Sequence, residues 1–180
     1  HQGIMVVRAT AREMLSPQSH FFTQNDKKKW LVPAGPDHAQ IAASNGIIDY
    51  FDQLDAHHNG QNNTNTPRRI EKLLRNAEQK IMKPLLEFIS ARDDLRVLGS
   101  TNTNDRAPTI SFVSDRQTSR VISEKLSDLG IMCGSGCFYA NRLVEALGIS
   151  QDDGVVRLSC VHYTAAEDIE VVIKSLEKIL

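Results

Sequence analysis

Three places in the chain carry residue types that can do chemistry. Arg157 stands inside the apolar run Val155-Val156-Arg157-Leu158, where an unpaired buried charge is costly, so it must reach a partner or a cleft. Its planar guanidinium can hold a carboxylate through two parallel hydrogen bonds. The competing reading is a salt bridge to Asp152 or Asp153. A second group is Cys133-x-x-x-Cys137, with Cys160 and His162 further on. It lacks the second paired-ligand motif of a zinc site, so no metal is expected and free thiols are the simpler reading. Cys137, next to Gly136 on a loop that leads into a helix, is the thiol that an N-terminal helix dipole can activate as a nucleophile. The third place is Pro33-Ala34-Gly35-Pro36-Asp37. Backbone N–H groups at such a helix start can receive an anion, although a turn with an aspartate cap explains the same residues.

The elements that must position these residues follow from periodicity. Gly3 to Val7 reads as a short buried strand and Thr10 to Leu15 as a short helix, with a loop-rich connector over 18–36. Such a strand needs a neighbour, and the expectation is a longer polypeptide cut just before it. Asp37 caps a helix with Ile41, Ile48, Phe51 and Leu54 on one face. A polar His- and Asn-rich loop spans 56–66, and Thr66-Pro67 opens a long helix with an apolar stripe from Ile70 to Phe88. Pro84 is expected to kink or divide that helix. Strands are expected at 95–98, 109–113, 131–133 and 155–161. Helices are expected at 116–129, 139–147 and 165–180, with a glycine loop at 134–136. Strands alternating with helices imply an α/β class with helices packed on a sheet.

Composition excludes several functions. In 180 residues, 21 Lys+Arg face 22 Asp+Glu, a balance that argues against nucleic-acid or anionic-membrane binding. No apolar run is long enough for a bilayer. Three cysteines suit a reducing compartment, and the expected location is cytoplasmic.

In order, the segments His1-Gln2-Gly3-Ile4-Met5, Pro33 to His38, Arg106 to Phe112, Leu129-Gly130-Ile131, Gly136 to Ala140 and Gly154 to Thr164 resemble the C-terminal portion of class V aminotransferases. That pyridoxal-phosphate group includes the cysteine desulfurases. The resemblance implies a homodimer and the small C-terminal domain of a pyridoxal-phosphate transferase. That domain has a small mixed or antiparallel sheet packed by helices. Residues 1–36 would then be a remnant of the large domain with its connector, and 37–180 the small domain with linking helices. His1-Gln2-Gly3 would be the tail of the segment that follows the Schiff-base lysine, so that lysine would lie upstream and this chain alone would be inactive.

Carried over by residue, Arg157 matches the arginine that holds a small amino acid's α-carboxylate. Ala34 and Gly35 match the loop that contacts the cofactor phosphate of the neighbouring subunit. Tyr139 stands near the position of the desulfurase cysteine, and Cys137 sits two residues before it. His38 and His162 read as a helix-start residue and a packing residue. The alternative is a non-catalytic α/β module for dimerisation or partner binding.

Overall fold

A computed structural model describes residues 3–16, 18–31, 37–60 and 66–180. The chain forms two compact units, His1–Ile70 and Glu71–Leu180.

The first unit holds helix α1 (Ala9–Met14), 3-10 turns at Phe21–Thr23 and Lys27–Lys29, helix α2 (His38–Asn59) and the first turn of α3 (Thr66–Ser90). Asp37 caps α2 as expected, accepting from the backbone N–H of Ala39 (3.0 Å) and Gln40 (3.1 Å). The lysine run is one of the 3-10 turns, with Lys27 Nζ 5.8 Å from the Trp30 ring centroid. The strand expected at 3–7 is not formed. No described residue pairs with this segment, and Ile4 and Val6 are exposed. An extended stretch without a ladder partner leaves its amides to water. The apolar stripe of α2 is likewise open at Ile41 and Ile48.

The second unit carries a four-stranded antiparallel sheet in the order β1-β2-β4-β3. Its strands are β1 (Leu95–Leu98), β2 (Thr109–Ser114), β3 (Gly134–Gly136) and β4 (Val155–Ser159). Helices α4 (Ser119–Asp128), α5 (Asn141–Ala146) and α6 (Ala166–Ile179) complete the unit. Alternation sends Ile110, Phe112, Val156 and Leu158 to one face. There they form a core with Met82, Leu85, Leu86 and Ile89 of α3, Ile122 and Leu126 of α4, and Ile169 and Leu176 of α6. Helix α4 is capped by Thr118, which accepts from Val121 N–H at 3.3 Å. At the start of α6 the Asp168 carboxylate accepts from Ala165 N–H at 2.8 Å. Pro84 does not divide α3, which is continuous through it. The apolar neighbours Met82, Leu85 and Leu86 are almost wholly buried, and their packing outweighs the lost backbone bond.

The strand expected at 131–133 is displaced. The ladder is made instead by Gly134-Ser135-Gly136, the segment read as a loop. Leu129 and Gly130 are spent closing α4, and the chain reaches the β4 edge only at Gly134. Among the described residues no helix is long and apolar enough to cross a membrane.

Candidate functional site

The second face of the sheet carries the alternate residues, Thr109 and Ser111 of β2 and Val155, Arg157 and Ser159 of β4. Arg157 lies between Ser111 on one side and Gly134 on the other in the ladder. Residues 137–153 make an excursion between β3 and β4. Its ends are tied together where the Cys137 thiol donates to the Gln151 carbonyl at 3.0 Å. Arg96 of β1 donates to the Leu147 carbonyl at 3.2 Å, linking the end of α5 to the strand at the far edge of the sheet.

Arg157 is half-buried, and its guanidinium carbon stands 3.6 Å from the centroid of the Phe138 ring. No carboxylate of the described residues lies within ion-pair distance of it. The two acids that could have neutralised it are engaged elsewhere or apart. Asp153 accepts from Ser119 N–H at 2.7 Å at the start of α4, and Asp152 makes only a backbone contact to Ser150 Oγ. A cation stacked on one face by an aromatic ring keeps its N–H edge for an acceptor, and a bidentate carboxylate is the acceptor that the edge fits best.

Backbone geometry holds this arrangement. Phe138 and Tyr139 are consecutive left-handed residues, with φ of 50° and 61°, a conformation uncommon outside glycine. Gly134 leaves room for the Phe138 ring: a Cβ there would come within 2.8 Å of it and force it to shift. Gly154, with φ of 66°, packs against the Gly136 backbone, where a Cβ would lie 2.2 Å from the carbonyl carbon. The glycines therefore let β3, β4 and the Phe138 turn approach one another.

The other expected residues fall as follows. Cys137 is half-buried, with its S–H turned to the Gln151 carbonyl and not into an open cleft. Cys133 and Cys160 are half-buried, and burial pushes both thiols up from their ordinary value. Among the described residues no three His, Cys, Asp or Glu side chains come together as metal ligands, so Cys133, Cys137 and His162 form no such cluster. His162 is exposed and stacks edge-on with Tyr163, with centroids 5.1 Å apart. His38 opens α2 as expected. Ala34 and Gly35 lie outside the described residues. Phe138 is the residue that sequence reading missed. Its relation to Arg157 depends on the β3–β4 register, which no local pattern encodes.

The second unit is thus an antiparallel sheet with helices over one face and, on the other, an arginine stacked on an aromatic ring. The chain belongs to the aminotransferase class-V family, whose model matches residues 23–172. It is 31% identical, over 190 aligned positions, to the aminotransferase-like protein FGM3 of Gibberella zeae, covering all of this chain and 43% of that protein. The chain thus spans less than half the length of the curated relative it matches. Among solved structures it is similar to the apo cysteine desulfurase of Thermococcus onnurineus NA1. Identity there is 26% and the TM-score 0.54, over 63% of this chain and 28% of the other. The cysteine desulfurase CsdA of Escherichia coli shares the fold, with TM-score 0.60 and 16% identity over 86% of this chain and 33% of the other.

The family and the desulfurases depend on pyridoxal phosphate. The described residues around Arg157 do not by themselves make a site for that cofactor. Strands β2, β3 and β4 and the 137–153 excursion contain no lysine to bind its aldehyde. The loop that the resemblance assigns to its phosphate lies outside the described residues.

Proposed function

We propose that this chain is the substrate-orienting, C-terminal part of a pyridoxal-phosphate enzyme of class V, cysteine desulfurase-like in fold, that acts on a small amino acid. Arg157 receives the α-carboxylate. The observation that carries this reading is its half-buried guanidinium, stacked on Phe138 and without an acidic partner among the described residues. Fixing the carboxylate fixes the rotation of the amino acid about its Cα bonds, which is how a clamp of this kind contributes to rate. The cofactor supplies electron withdrawal from the Cα when bound. Its lysine lies outside this sequence, and the 180 residues alone do not turn over substrate. Residues 1–36 belong to the large domain, 37–180 to the small one with its linking helices. The protein works as a cytoplasmic homodimer in which Ala34 and Gly35 reach the neighbouring subunit's cofactor phosphate. The exposed Ile4, Val6, Met14, Phe21 and Phe22 support packing against further protein.

Arg157→Ala in the full-length protein tests the reading. Loss of a charge-assisted bidentate contact is expected to weaken amino-acid binding about ten- to a hundredfold, with little change in thermal midpoint. An unchanged affinity with a large drop in the midpoint would favour a structural arginine in a non-catalytic dimerisation or partner-binding module.

A further inference from the structure

We propose that Phe138 is the positioning residue of the carboxylate site, holding the Arg157 guanidinium edge-on to the ligand. The inference rests on the reading of Arg157 given above.

Four observations converge on Phe138. Its ring centroid is 3.6 Å from the guanidinium carbon, which is stacking distance. Its backbone adopts φ of 50°, and the next residue, Tyr139, repeats the left-handed turn at 61°. Two such residues in succession are unfavourable locally and persist where surrounding structure requires them. The ring also lies against Gly134, where a Cβ would approach it to 2.8 Å. Gly134 is itself the ladder partner of Arg157. The same pair of strands thus supplies the floor under the ring and the cation beside it.

A long arginine side chain on an open sheet face samples many rotamers, and binding an anion would order it at an entropic cost. Stacking on a ring already fixed by Gly134 removes that freedom before the ligand arrives. The ring also closes one face of the guanidinium plane. A carboxylate must then come to the N–H edge, which selects one orientation of the amino acid. Tyr139 follows from the same turn: its side chain is fully exposed because the left-handed backbone directs Phe138 to the sheet.

The experiment measures dissociation constants of the full-length protein by calorimetry for two probes, L-alanine and L-alaninol, which lacks the carboxylate. The preference for alanine over alaninol isolates the carboxylate site. Phe138→Leu is expected to lower that preference about two- to tenfold, and Phe138→Tyr, which keeps the ring, to restore it. Arg157→Ala is expected to abolish it. A preference lost in Arg157→Ala but untouched in Phe138→Leu would overturn the role of Phe138 and leave the carboxylate clamp standing. A wild-type preference absent, or unchanged in Arg157→Ala, would overturn the clamp itself.

Where Phe138→Leu fails to fold, the unmodified protein decides. The Arg157 side-chain N–H resonance, assigned by its disappearance in Arg157→Lys, is expected upfield from the ring current. A resonance at the position of free arginine would overturn the stacking.

Discussion

At the scale of residues, Cys137 and Arg157 face opposite tasks. The Cys137 S–H donates to the Gln151 carbonyl and so ties the excursion shut, whereas a sulfur-accepting nucleophile must swing free to its substrate. Little desulfurase turnover is therefore expected: sulfide release from L-cysteine should be near background and equal in Cys137→Ser and the unaltered protein. Release that vanishes in the variant would assign the chemistry to this thiol. The strand around Arg157 made it legible in the sequence, because apolar neighbours on both sides leave a charge in need of a partner. Whether Asp152 or Asp153 would satisfy it was not legible. Asp153 turns to the start of α4, a helix 34 residues earlier in the chain, and only the folded chain brings the two together. Phe138 was hidden for the same reason, since a left-handed aromatic has no composition signal.

At the scale of elements, a buried carboxylate ties the end of α2 to the first turn of α3. Asp55 accepts from Asn59 Nδ2 (2.9 Å), Thr66 Oγ1 (3.1 Å) and Arg69 Nε (2.8 Å), and pairs with a second Arg69 nitrogen. Arg69 holds its pKa well below the ordinary 3.8. In the unfolded chain the carboxyl protonates first as pH falls, so the stability it contributes is complete above the ordinary value and drains away as pH drops below it towards the folded value. Asp55→Asn is expected to flatten the acid limb of urea-unfolding midpoints below about pH 4. Some slope remains, because Arg92 and Arg116 depress Asp94 in the same direction. An acid limb identical in the variant would mean that Asp55 does not govern it. The helices themselves were readable from their 3.6-residue stripes and caps. Short edges were not: the three-residue β3 carries no side-chain pattern, and its identity comes from hydrogen bonding to β4 alone.

At the scale of the whole molecule, the family and fold were legible from the order of segments, while the partners of the apolar first unit were not. Among its described residues only Asp55 and Ile70 are buried, so that unit has little core of its own. The longer protein carrying this chain is expected to show the visible absorbance of enzyme-bound pyridoxal phosphate, and the 180 residues alone are expected not to. Absorbance retained by the shorter polypeptide after dialysis would contradict the assignment of the lysine to a position outside it.

The β3–β4 connection also sets a rule for insertions and deletions. Four residue steps separate Gly134, under the ring, from Phe138, which bears it, and one residue added within Gly134–Gly136 would break the register that sets them against each other. Relatives that keep the stacked pair should therefore hold this spacing constant.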